Sequence, residues 1–296
     1  MGKVIEQLRY VHLGSRDPAA AARFAGERLG MQLVSAEGGQ WLLRDDSRAF
    51  SVVFSEGTAQ AVGLKVASRE VLDQVAAALT AQGIASQRDE ALAQRRLSRD
   101  LLSFTTPGGI TIELVWRPND NGWRFFPTQP VALQGLSGVA LRSTRVLEDE
   151  ALLVEVLSLR ISDWIGDAVY LGFDSAHHRL SLHPSTAIGV LAVEFQLDCL
   201  DQMMQVWHRL RDADIVPAHG PGRRPVSGQA FLTFDGPDGV YYSVLAEGEP
   251  RDGSQAPRQF AAAASSHCAW GSDCHIAEYG APANVRGRPQ LREVGK

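Results

Sequence analysis

Two adjacent imidazoles, His177 and His178, stand just before the alternating run Leu180-Ser181-Leu182-His183, and a pair of guanidinium groups, Arg223 and Arg224, follows the turn-forming Gly220-Pro221-Gly222. An imidazole titrates near neutral pH and passes a proton in either direction, so His178 is a candidate acid–base group. A guanidinium offers paired N–H groups to a carboxylate, phenolate or enolate oxygen, which makes Arg224 a candidate holder of an anionic substrate; a solvated loop arginine is the alternative. Strand parity sets His177 and His183 opposite to His178, so both are expected to point away from a shared pocket. His219 precedes a glycine turn and reads as loop. Near the C-terminus His267-Cys268 lies six residues before Cys274-His275, a grouping of soft ligands whose spacing matches no compact zinc or copper motif.

Groups so scattered can act together only if regular elements carry them to one face. The same order of signals runs twice, from Leu8 and again from Leu136. Leu29-Gly30-Met31 corresponds to Leu157-Ser158-Leu159 at an offset of 128 residues, and Pro107-Gly108-Gly109 to Pro237-Asp238-Gly239 at an offset of 130. Each copy opens with an alternating strand, residues 8–13 or 136–141, and continues with an amphipathic helix, 17–29 or 146–157. Short strands follow, then a fresh strand at 61–66 or 188–197, a second helix, and two strands closed by a Pro-Gly turn in which glycine takes torsions that other residues resist. These signals predict an α+β protein of tandem βαβββ modules forming two half-barrels: a first module over 1–118, a linker at 119–132, a second module with the substrate cup over 133–248, and a tail at 249–296. The tail is rich in Gly, Pro, Ala and Arg and is expected to be extended or partly disordered.

Bulk properties narrow the functions. At 296 residues, with 45% hydrophobic and 21% charged residues, the chain can bury two sizeable cores. A net charge of −5 gives no broad basic face, so nucleic acid is not an expected partner, although Arg95, Arg96 and Arg99 form a local basic cluster. No stretch is long and apolar enough to span a bilayer, the N-terminus lacks a signal core, and Cys199, Cys268 and Cys274 make no disulfide framework; a cytoplasmic, non-membrane protein is expected.

Over roughly residues 5–247 the chain resembles the vicinal oxygen chelate superfamily, and within it the two-module type I extradiol dioxygenases. Arg160-Ile161-Ser162-Asp163 through Phe173-Asp174-Ser175-Ala176-His177-His178-Arg179-Leu180 resembles that family's R-x-S-D … D-x-x-H-H-S-L, and Gly220-Pro221-Gly222-Arg223-Arg224 through Gly236-Pro237-Asp238-Gly239 resembles G-P-G-R-H … D-P-D-G. The resemblance implies ring cleavage of catechols at an Fe(II) or Mn(II) held by two His and one carboxylate in the second module, with the first module normally metal-free. At the three ligand positions this chain has Gly138, Val190 and Ser243; the family's next His is Arg224, and its substrate-contacting Tyr is Thr233. His178 matches the family's acid–base histidine. The corresponding positions of the first copy are Tyr10, Ala61 and Glu113, with His12 beside them, and one carboxylate and one imidazole do not close a metal site.

No cofactor is therefore expected. The resemblance implies a small aromatic or enolisable partner and a homo-oligomer, with His178 and Arg224 as the chemical pair and Trp164, Phe173, Thr233 and Tyr241 about the substrate. Three readings are open: a metal-independent enzyme acting on an oxygenated aromatic or ring-fission compound, a dioxygenase using substrate-assisted or non-standard-metal chemistry, and a non-catalytic ligand-binding protein or silent subunit.

Overall fold

The computed structural model describes residues 4–280 apart from Thr128, Pro130, Ala132 and Asp252. The first module runs β1 (Ile5–Ser15), α1 (Pro18–Leu29), β2 (Gln32–Glu37), β3 (Gln40–Arg44), β4 (Val52–Glu56), β5 (Gln60–Val66), α2 (Arg69–Ala81), β6 (Ser86–Arg88), α3 (Glu90–Arg95), β7 (Asp100–Thr105) and β8 (Thr111–Trp116). The second runs β9 (Gly135–Ser143), α4 (Val146–Leu157), β10 (Arg160–Ile165), β11 (Ala168–Gly172), β12 (Leu180–Pro184), β13 (Gly189–Gln196), α5 (Leu200–Asp212), β14 (Pro217–Arg223), β15 (Ala230–Asp235) and β16 (Tyr241–Ala246). The expected α+β architecture is observed, with the opening strands and helices within three residues of their predicted bounds.

Each module is one strongly non-local sheet. The strand order is β2-β3-β4-β1-β5-β8-β7-β6 in the first and β14-β15-β16-β13-β9-β12-β11-β10 in the second, which is the first read in reverse. In both, the two central strands pair antiparallel, and each pairs parallel with the last strand of its own βαβββ half. Local sequence sets the helix ends. Asp17 accepts the Ala20 amide at the start of α1, and Gly30 takes the left-handed conformation (φ 73°) at its end. Ser158, the equivalent residue after α4, adopts the same conformation at φ 56° without glycine's freedom.

One face of each sheet is covered by helices, and alternation sends the other side chains into a cup. The core includes Val139, Leu141, Leu180 and Leu182 from the second sheet beneath Leu152, Leu153 and Val156 of α4 and Met203, Val206 and Leu210 of α5. The modules are tied by polar contacts as well as by that core. Gly108, in the turn before β8, donates its amide to Asp149 of α4 at 2.7 Å, and an added Cβ there would fall 2.2 Å from that carboxylate. Gln60 accepts the Val190 amide at 2.6 Å.

Residues 250–280, expected to be extended, fold onto the second module. Strand β17 (Arg258–Phe260) adds to the β10 edge, and a helical turn α6 (Ala264–His267) and a 3-10 turn at Ala277–Tyr279 follow. Residues 281–296 of the expected tail lie outside the described residues.

Asp45 is wholly buried near Arg48, and neither of its oxygens finds a hydrogen-bond donor among the described residues. Burial pushes its pKa up to about 6 against the attraction of Arg48. The unfolded chain therefore releases this proton first as pH rises, and the folded state loses stability between about pH 4 and 6. Asp45→Asn removes this titration together with one counter-charge of the buried Arg48, so it is expected to flatten the pH dependence of stability between about pH 4 and 6, read from urea midpoints across that range.

Candidate functional site

Five residues on five neighbouring strands stand side by side in the second cup. Register pairs His219 of β14 with Thr233 of β15, Thr233 with Ser243 of β16, Ser243 with Glu194 of β13, and Glu194 with Gly138 of β9. Cross-strand partners point to the same side of a sheet, so this row lines the concave face. The adjacent row is Ala192, Ala140, Ser181, Tyr170 and Asp163.

Glu194 is the centre of the first row. An added Cβ on Gly138 would lie 2.5 Å from its Oε2, so the carboxylate occupies the space that a side chain at 138 would take. Arg224 Nη2 donates to Glu194 Oε1 at 2.5 Å, and its guanidinium lies over the Phe231 ring at 5.4 Å. Both partners are buried. Burial alone would raise the pKa of Glu194, but Arg224 and the neighbouring His178 hold it far below the ordinary carboxylate range; Glu194 in turn holds Arg224 above its usual value against the effect of burial.

The second row leads to a histidine chain. Asp163 Oδ2 lies 2.8 Å from His177 Nε2, His177 Nδ1 lies 3.0 Å from His178 Nδ1, and His178 Nε2 lies 3.6 Å from Glu194 Oε2, beyond hydrogen-bond length. Tyr170 packs edge-on against His178 at 4.9 Å and His183 at 5.9 Å. Burial lowers His178, brings His177 to about 4 despite Asp163, and brings His183 to about 3 and His219 to about 4. These rings are neutral at pH 7.

The tail closes this cup. Tyr279 stacks on His267 at 4.6 Å and lies 5.1 Å from His183 and 5.9 Å from His219. Arg142 of β9 donates to Glu278 at 2.5 Å, the His275 amide donates to Ala218 at 2.8 Å, and Ile276 joins Ala140, Leu191, Ala192 and Ala218 in a small apolar cluster.

The structure thus brings together His178, Arg224, Thr233 and Ser243, with Thr233 Oγ1 and Ser243 Oγ 2.7 Å apart, and sets Tyr241 against the apolar cluster beneath the tail. Trp164 and Phe173 are not brought in. They pack against the helix-covered core, where the Trp164 indole donates to Glu150 of α4 at 3.3 Å; a register shift between Ile161 and Asp163 in β10 swaps the faces. Val190 pairs with Leu141 and shares its helix-covered face, because a bulge between Val190 and Ala192 reverses the alternation. His177 and His183, expected to point outward, are buried in the cluster. His178 lies in the loop before β12 rather than in the strand, so strand parity did not apply to it. His219, expected in a loop, belongs to β14 and is likewise buried.

In the first cup Glu113 accepts from Tyr10 Oη at 2.5 Å and from Arg96 Nε and Nη2 at 2.8 and 3.2 Å, and His12 Nε2 lies 2.7 Å from Ser55 Oγ. Arg96 is therefore not part of a basic surface cluster: at 1% exposure it is an internal counter-ion. Among the described residues no group of three or more His, Cys, Asp or Glu side chains is arranged to hold a metal ion, and no helix is long and apolar enough to cross a membrane.

No protein-family model matches the chain. It is 28% identical over 198 residues to a biphenyl-2,3-diol 1,2-dioxygenase of Pseudomonas sp. (strain KKS102), an alignment covering 60% of this chain and 67% of the relative. A crystal structure of catechol 2,3-dioxygenase superposes with a TM-score of 0.82 over 97% of this chain and 100% of that one, at 22% identity. The fold is that of the two-module extradiol dioxygenases. The same fold carries a Mn(II)-bound glyoxalase from Novosphingobium aromaticivorans, with a TM-score of 0.82, 22% identity and 97% coverage of both chains. On this extradiol-dioxygenase fold, Gly138, Thr233, Ser243, His178 and Arg224 were legible as differences from, or matches to, the resembling motifs. Glu194, Tyr170, Asp163 and the tail's Tyr279 and His267 were not, although alternation along β13 carried the signal for Glu194.

Two outcomes follow from the burial of these groups. Glu194→Ala leaves a guanidinium buried without its counter-ion and is expected to cost about 3–5 kcal/mol, while the double variant Glu194→Leu with Arg224→Met recovers most of that loss in denaturant titrations. In the unfolded chain each histidine binds a proton near pH 6.5, whereas His177, His183 and His219 stay neutral in the fold to about pH 4. Between those limits the unfolded state holds more protons, so stability falls as pH drops, and His183→Gln is expected to make that fall shallower; an unchanged slope argues against burial as its cause.

Proposed function

We propose that the second cup binds an oxygenated aromatic of the catechol type, or an enolisable ring-fission compound, and moves a proton on it without a metal. The observation that carries this reading is a set of buried polar atoms without hydrogen-bond partners among the described residues: His178 Nε2, Arg224 Nη1, His183 Nδ1 and His219 Nδ1. Each such atom costs about 1–3 kcal/mol unless something in the cup satisfies it, and an aromatic diol or enol supplies both donors and acceptors. The similarity to a biphenyl-2,3-diol dioxygenase supports the same substrate class.

The residues of the cup do not fit a divalent cation. Gly138 has no donor atom, Val190 faces the helices, the Ser243 hydroxyl is engaged by Thr233, and Glu194 is neutralised by a guanidinium whose fixed charge repels a cation. In this reading His178 Nε2 takes a proton from the substrate hydroxyl or α-carbon, the electron pair stays on the substrate as phenolate or enolate, and Arg224 Nη1 faces the resulting anionic oxygen. Tyr170 stays protonated, its pKa raised by burial, and walls the ring.

The expected results are measurable. The purified protein contains no stoichiometric iron or manganese, and with chelator present it exchanges deuterium into enolisable ring-fission compounds followed by proton NMR. His178→Ala lowers that exchange by about 10²–10⁴-fold with its circular dichroism unchanged. An activity abolished by chelator and restored only by Fe(II) overturns the proposal.

A further inference from the structure

We infer that Asp163 and His177 are positioning residues that fix the tautomer of His178, placing its proton on Nδ1 and its lone pair on Nε2 toward the cup. The inference deepens the proposed function and rests on the reading of His178 as its base. Asp163 accepts from the Arg258 amide at 2.7 Å, from Arg258 Nε and Nη2 at 3.2 and 2.6 Å, and from Arg251 Nη2 at 3.0 Å. A carboxylate held by two guanidinium groups is ionised and can only accept, so the proton in its 2.8 Å contact with His177 sits on His177 Nε2.

Burial keeps His177 neutral, with its pKa lowered to about 4, so its other nitrogen, Nδ1, carries a lone pair. The 3.0 Å contact between the two Nδ1 atoms then requires His178 to be the donor. His178 Nε2 is left basic, in line with its having no hydrogen-bond partner among the described residues. The opposing pull comes from Glu194, which would prefer a proton on His178 Nε2. Its oxygen stands 3.6 Å away and its charge is already met by Arg224, whereas the His177–Asp163 bond is charge-assisted at full hydrogen-bond length, so the relay wins. Once His178 takes the substrate proton, both its nitrogens are donors, with Nδ1–H still on His177 and Nε2–H facing Glu194.

The arginines define what the relay does. Because Arg251 and Arg258 offset the charge of Asp163, the carboxylate contributes orientation more than basicity. Both arginines come from the tail, which makes the tail part of the machinery through Asp163.

The test uses full-length protein with ¹⁵N-labelled histidine, reading the His178 tautomer at neutral pH from two-bond proton–nitrogen correlations. The wild type is expected to carry the proton on Nδ1. His177→Phe, which removes the acceptor, is expected to shift it to Nε2, and His177→Asn, whose side-chain oxygen can stand where Nδ1 stood, to restore it. In the exchange assay His177→Phe is expected to lose about a hundredfold or more in kcat with KM kept, as for a base in the wrong tautomer. A wild-type His178 protonated on Nε2 overturns the relay, as does a folded His177→Phe protein that keeps the wild-type tautomer. If His177→Phe does not fold, the wild-type spectrum and His177→Asn decide. The expected spectra together with full turnover in His178→Ala leave the relay standing and remove the proposed reaction.

Discussion

A carboxylate cannot stay ionised inside a protein without a compensating charge, and in the second cup that charge is a guanidinium. The 2.5 Å contact of Arg224 with Glu194 constrains everything around it. Residue 138 must be glycine-sized, since the carboxylate fills the space a Cβ would need. Arg224 must be enclosed, with one Nη committed and the other left open. The concave face of the second module is thus organised around a fixed cation with directional N–H groups. Such a group binds oxygen anions by hydrogen bonding and charge.

Desolvation sets the rest of the electrostatics. With the tail laid over the cup, His178, His183 and His219 lose the water that would stabilise their protonated forms, and the positive field of Arg224 works in the same direction. The result is a cluster of neutral imidazoles beside one strong ion pair. The low-polarity surroundings of Tyr170, Phe231 and Tyr279 strengthen the electrostatic interactions within that cluster.

The sequence made the modular plan legible because hydrophobic alternation and turn residues act locally, and the 128-residue offset exposes the repeat. Face assignments were legible only where strands run without interruption. Gly138 and Ser243, read from motif resemblance, lie in the concave row, whereas bulges in β13 and β10 turn Val190 and Trp164 toward the helix-covered face, which no pattern of residues announces. His177 and His183 were read outward for a related reason: the parity of a strand was carried into a loop. The tail has no periodicity to read. Its contribution comes from isolated side chains, Arg251, Arg258, His267 and Tyr279, whose partners lie between 12 and 96 residues away.

The two cups bury an arginine–glutamate pair in different ways. In the first, Arg96 of the α3 terminus meets both oxygens of Glu113, Tyr10 adds a third bond, and Gly63 leaves room for the tyrosine ring, whose nearest atom would be 2.3 Å from an added Cβ. That network is saturated: none of Tyr10, Arg96 and Glu113 has an unmet buried polar atom. The second cup also pairs an arginine with a glutamate, on the other sheet, and leaves four nitrogens unmet around the pair among the described residues. Since the fold can complete such a network, as the first cup demonstrates, the incomplete one is not forced by topology. What the second cup leaves open among the described residues is hydrogen-bonding capacity at His178, His183, His219 and Arg224, beside the ion pair of Arg224 with Glu194.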